Sequence, residues 1–217
     1  MHGLCPLWSP FLYYDPGPPA GAGASYRGLP GQAPPSSAAV SGRLLLFYAE
    51  SRKYLSPGGD LKLIESFDRG QAWSVPRTLL THEADGGVPK LLAGALVETR
   101  SGAWILPLMR TPPASLRPTP APGASPDCTS ASAGVLVTRD RGRTWRSCGH
   151  VRHDEGCSLA TCAVVELEAR AGFPLESRLV MTLTPDYDGL RSGVSEPTTL
   201  QATSTNGGET WGAPALV

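Results

Sequence analysis

One eight-residue phrase occurs three times and limits what this chain can fold into more than any other feature. It reads Ser66-Phe67-Asp68-Arg69-Gly70-Gln71-Ala72-Trp73, then Thr138-Arg139-Asp140-Arg141-Gly142-Arg143-Thr144-Trp145, then Ser204-Thr205-Asn206-Gly207-Gly208-Glu209-Thr210-Trp211. The common form is Ser/Thr, any residue, Asp/Asn, any residue, Gly, any residue, Thr/Ala, Trp. A tight hairpin corner accounts for it. The Asp or Asn side chain accepts hydrogen bonds from the backbone N–H groups of its own turn, Gly supplies a positive φ without steric cost, and Trp packs an apolar body beneath the corner. The octads begin at residues 66, 138 and 204. Self-similarity at a long, nearly fixed period is the mark of stacked supersecondary units.

Short β-rich runs bounded by Gly, Pro and Ser lie between the octads, as in an all-β protein. The first set is Ser9–Tyr14, Arg43–Glu50, Asp60–Phe67 and Ser74–Leu80. The second is Lys90–Thr99, Ala103–Arg110, Gly134–Arg139 and Arg146–Val151, and the third is Ser158–Glu168, Arg178–Thr184, Thr199–Thr205 and Gly212–Val217. Each set has four strands, with the octad joining the third to the fourth. Three blades of antiparallel meander are therefore expected within one domain spanning 1–217, at about 8–81, 88–153 and 157–217, with Pro/Gly/Ala/Ser-rich loop insertions at 16–41 and 111–132. A ring of such blades closes at typically four to eight. Three imply half of a roughly six-bladed ring, completed by blades outside this sequence or by a second copy.

Composition excludes several partners. The chain has 19 acidic and 19 basic residues and a formal charge of zero, so nothing favours nucleic acid. No run approaches the roughly 18 apolar residues of a membrane span, and the apolar start from Met1 to Tyr14 lacks the basic flank of a signal peptide. Five cysteines, Cys5, Cys128, Cys148, Cys157 and Cys162, show no zinc spacing. Buried free thiols are expected, with a bridge from Cys148 to Cys157 or Cys162 as the alternative in an oxidising compartment. His82-Glu83-Ala84-Asp85 and His150 to Glu155 hold metal-competent side chains, but neither has a second set to complete a site. Neither a metal nor a cofactor is expected.

The octad resembles the Asp box of the sialidase (neuraminidase) superfamily, the BNR repeat of its β-propellers. Leu44-Leu45-Leu46-Phe47-Tyr48-Ala49-Glu50-Ser51-Arg52 is similar to that family's "LLAFAEGR" run, and Gly102-Ala103-Trp104-Ile105-Leu106-Pro107-Leu108 to its "GxWLLPL" strand. The resemblance implies a sialidase-like propeller acting on terminal, sialic-acid-like sugars of glycans without a metal. It also implies that Arg52 faces the sugar and that Asp60, the one carboxylate in the following loop, is the acid/base. For Asp60 the alternative is a strand-entry turn residue; for Arg52, a salt bridge with Glu50. In this family three arginines grip the sugar carboxylate, which a planar guanidinium binds in a bidentate fork. Tyr26-Arg27-Gly28-Leu29-Pro30 echoes the segment that carries the first, so Arg27 is a candidate.

Blade three departs from the family pattern. Thr161 stands where the family has the Glu that activates a tyrosine nucleophile, and Thr184-Pro185-Asp186 stands where a triad Arg belongs. Glu166 reads as structural. The face opposite the octads, formed by the loops between second and third strands and between blades, is where a ligand is expected. Arg110, Glu155, Asp186 and Arg191 flank it, together with Asp154, Asp188, Tyr187 and His153. Two functions stay open: a glycoside hydrolase of the sialidase type or a fragment of one, and a non-catalytic propeller that binds a glycan or a protein.

Overall fold

The computed structural model describes residues 6–17, 42–51, 58–85, 87–112, 130–153, 158–167, 178–185 and 199–217. The three expected sets of strands form three antiparallel sheets. The first runs β1 (Leu7–Asp15), β2 (Arg43–Glu50), β3 (Asp60–Ser66) and β4 (Arg77–Leu80), in that order across the sheet. The second contains β5 (Lys90–Leu92), β6 (Val97–Glu98), β7 (Trp104–Arg110), β8 (Ser132–Thr138) and β9 (Arg146–Val151). Here β5 and β6 both pair with β7, which pairs with β8, and β8 with β9. The third runs β10 (Leu159–Leu167), β11 (Arg178–Pro185), β12 (Leu200–Ser204) and β13 (Ala215–Leu216). Among the described residues the only helix is a 3₁₀ turn at Glu83–Asp85. The insertions lie mostly outside the described residues.

Prolines explain where the strands differ from expectation. Lys90–Thr99 is not one strand but two, because Pro107 on the facing β7 has no N–H to donate; Ala93 N–H still reaches the Pro107 carbonyl at 3.1 Å. The fourth strands begin only after Pro76 and Pro214, which cannot serve a ladder from within.

The sheets pack face to face in chain order, as consecutive blades of a sialidase-like β-propeller. One apolar seam joins Leu45, Phe47, Leu61 and Leu63 of blade one to Trp104, Leu106, Leu108 and Leu136 of blade two. The other joins Ile105, Val135 and Val137 of blade two to Leu179, Met181, Leu183 and Ala202 of blade three. Blade two is thus covered on both faces, and every residue of β7 and β8 is buried. In the flanking blades burial alternates along the strand, as in β3 and β12, because one face of each sheet has no neighbour.

Each octad folds into the same corner. The first-position hydroxyl donates to the third-position side chain, from Ser66 to Asp68 at 2.8 Å, Thr138 to Asp140 at 2.7 Å and Ser204 to Asn206 at 2.9 Å. The same hydroxyl accepts from the fifth-position Gly N–H, and the third-position oxygen accepts from the N–H of Ala72, Thr144 or Thr210. Gly70, Gly142 and Gly208 have φ of 88°, 82° and 87°. The indole N–H of Trp73, Trp145 or Trp211 then donates to that glycine's carbonyl at 3.0 to 3.1 Å. The rings do not settle under their own corners. Trp145 meets Phe47 of blade one edge-on at 5.8 Å, and Trp211 packs into the seam between blades two and three.

A polar knot reinforces the first seam at the octad end. Arg43 lies between Asp15, at 3.0 Å, and Glu65, and also donates to the Arg141 carbonyl. Arg141 returns an ion pair to Asp15, with its guanidinium 5.2 Å above the Trp104 ring. Arg77 of blade one donates to the Gly142 and Arg143 carbonyls at 2.6 and 2.8 Å, so blade one holds the corner of blade two from two sides.

Candidate functional site

The face opposite the octads is built from strand ends that the hairpin topology brings together: the end of β2 and start of β3, the β4–β5 connection, and the β7, β8 and β9 ends of blade two. Asp60 is the first residue of β3, in register with Glu50. It is reached through Gly58 and Gly59, and Gly59 is needed as glycine because a methyl group there would run into the Glu50 carbonyl. That close approach lets Gly59 exchange both backbone hydrogen bonds with Lys90 at 3.0 Å, stitching blade one to blade two.

Asp60 is held by His82. The His82 backbone N–H and ring Nδ1 both lie 2.8 Å from Asp60 Oδ1. Burial by itself would raise the Asp60 pKa, but the two bonds from His82, with the charges of His82 and Lys62, outweigh it and hold the carboxyl below its ordinary value. Because the ionised carboxylate only accepts, Nδ1 carries the ring proton. Among the described residues nothing is bonded to Oδ2.

Lys90 fixes His82 in turn. Its side chain is fully buried, and Nζ donates to the carbonyls of His82 at 2.8 Å and Thr81 at 3.2 Å. A buried ammonium needs such acceptors to offset lost hydration. Lys90, His82 and Asp60 form a relay of contacts across the blade-one/blade-two seam. His82 and Lys90 take roles at this rim that residue types alone did not assign. The signal was there in the hairpin register, since Leu61 pairs with Leu80 and the next step outward sets Asp60 against residues 81–82.

The other candidates divide. Arg110 ends β7 in register with Lys90 and Ser132, but it is buried inside blade two, where it donates to Ser147 Oγ at 3.0 Å and the Ala133 carbonyl at 3.5 Å. Arg27, Arg52, Glu155, Asp186 and Arg191 lie outside the described residues. Lys62 takes Glu50 as its ion-pair partner. Glu166 accepts from the Arg100 N–H at 2.9 Å, joining blade three to blade two. Near the rim, Ser132 Oγ and His150 Nε2 are 3.1 Å apart. Cys148 and Cys162 are free and buried, and burial pushes the Cys162 thiol up to about 12, with Arg110 pulling the other way. Among the described residues no three His, Cys, Asp or Glu side chains converge as a metal site.

The sequence profile of the BNR repeat-like domain family matches residues 28–217. The chain belongs to that family. In three dimensions this BNR repeat-like domain is similar to a protein of unknown function from Dyadobacter fermentans DSM 18053, at TM-score 0.51 and 20% identity, over 81% of this chain and 47% of that one. It is also similar to a Hadza microbial sialidase (TM-score 0.49, 19% identity, 80% of this chain and 35% of that one). A mutant of Trypanosoma rangeli sialidase displaying trans-sialidase activity gives 0.48 and 17%, over 80% and 26%. No curated protein matches in sequence. The BNR repeat-like domain described here spans less than half the length of each of these three structures. No helix among its described residues is long and apolar enough to cross a membrane.

Proposed function

We propose that this BNR repeat-like domain binds terminal acidic sugars of glycans through the rim that carries Asp60, and that the chain by itself does not cleave them. The observation that carries the reading is the state of Asp60. Glycoside cleavage needs a proton donor for the leaving oxygen, and a carboxyl serves only when its surroundings keep a proton on it near working pH. His82 and Lys62 do the opposite. A fixed, ionised carboxylate is instead a good acceptor for sugar hydroxyls, and Arg27, Arg52 and Arg191 are the side chains suited to a sugar carboxylate. Buried Arg110 serves its own sheet.

A second reading, hydrolysis of the sialidase type, is favoured by where Asp60 stands: at the loop after the Leu44–Arg52 run, where the family resemblance puts the acid/base. It needs a nucleophile and further arginines from blades beyond these three.

Binding of a sialoside by calorimetry and release of dye from a fluorogenic sialoside separate the two. The expected result is binding without turnover, weakened about tenfold or more by Asp60→Ala or Arg52→Ala, the loss of one hydrogen bond to a charged group. Turnover abolished by Asp60→Ala would establish the second reading. Neither binding nor turnover would dismiss both.

A further inference from the structure

Each internal seam is made the same way, and both halves of that pattern recur unfilled at the two ends of the array. Leu44 pairs with Ser66, Trp104 with Thr138 and Leu179 with Ser204, so the octads set the three second strands in a common frame. One residue further along, Leu45, Ile105 and Val180 are equivalent, and their partners on the first strand of each blade are Tyr13, Val97 and Val165. Tyr13 packs into the seam ahead of it, edge-on to Trp104 at 5.3 Å, and Val97 packs into the next seam. Val165, the third of the series, is 49% exposed.

The octad indoles give the converse series. Trp145 and Trp211 reach back onto the preceding blade, whereas Trp73 is 38% exposed, with Leu12 and Tyr14 exposed on the same blade. Four residues after each indole stand Arg77, Gly149 and Ala215. Arg77 grips the next octad, and Gly149 has room only for the Trp211 ring that lies against it. Ala215 is small, exposed and vacant of a following octad.

We propose that the blade-one face bearing Trp73 docks on the blade-three face bearing Val165 and Ala215 of a second copy of this chain, and reciprocally. The two contacts close a head-to-tail ring of six blades about a twofold axis, within the four to eight at which such rings close. Each copy already carries both halves of a seam whose geometry it shows twice internally. The similar Dyadobacter fold, of which this chain covers 47%, contains about one further chain's worth of structure. The docking does not depend on what the rim binds.

Sedimentation velocity of the whole chain at micromolar concentration tests it by mass alone, separately from any sugar. The expected species is two chains of 22.8 kDa. Trp73→Arg and Val165→Lys, on opposite faces and only the first within an octad, should each weaken the dimer about 30-fold or more. An equimolar mixture should regain dimer, since one of its two seams is then unaltered. A monomer at all concentrations, an open polymer, a dimer that resists either variant, or a mixture that stays monomeric would overturn the proposal.

Discussion

Two carboxylates show how environment assigns a role to the same side chain. Asp60 at the rim and Asp140 in the second octad are each partly desolvated, which would raise their pKa values. In each, hydrogen bonds win: from His82 to Asp60, and from the Thr144 hydroxyl and N–H and the Thr138 hydroxyl to Asp140. The folded values lie below the unfolded one of about 3.9, so both groups add stability above that pH and lose it as the pH falls through their folded values. Unfolding midpoints in denaturant should therefore drop below about pH 4, and the double variant Asp60→Asn, Asp140→Asn should flatten that drop while costing stability at pH 7. A stability that rises on acidification would mean that Asp60 is kept protonated, as an acid catalyst requires.

At the level of strands and corners, the seam between blades two and three depends on one glycine. Gly149 has φ of 69°, and a methyl group there would meet the Trp211 ring; Gly102 has φ of 79° with nothing within 4 Å. Gly102→Ala should cost about 1–2 kcal/mol, the left-handed penalty alone, and Gly149→Ala about 2–4 kcal/mol as overpacking is added. Equal losses in thermal unfolding would place Trp211 elsewhere. In the other seam, Arg43→Met leaves Asp15 and Glu65 buried without their shared partner and should destabilise by about 3–5 kcal/mol in chemical unfolding. The corners and most strand limits were legible in the sequence because Asp, Gly and Trp act within eight residues. Arg43–Glu50 and Arg146–Val151 begin and end as expected. What a ring meets across a seam was not legible, since it depends on the neighbouring blade. Trp145 was expected beneath its own corner and instead meets Phe47, a residue 98 positions earlier. For the same reason Asp60 stood out as a carboxylate in a rim loop, while His82 and Lys90, which decide its charge, did not.

Across the whole molecule, three blades divide their labour by face. The octad ends carry the polar knot and the indoles that hold blade to blade; the opposite ends carry the Asp60, His82 and Lys90 relay that faces a ligand. Blade two, buried on both sides, is the core on which the others lean. The relay itself crosses a seam, from Asp60 on blade one to Lys90 on blade two, so the rim keeps its geometry only if each octad seats its indole on the blade before it. A double-mutant cycle between Phe47 and Trp145, with Phe47 and Trp73 as the control, measures this directly. The predicted coupling is about 0.5–1.5 kcal/mol for Phe47 with Trp145 and none for Phe47 with Trp73, the indole of its own blade. Coupling of Phe47 to Trp73 with none to Trp145 would contradict the stacking order from which the rim follows.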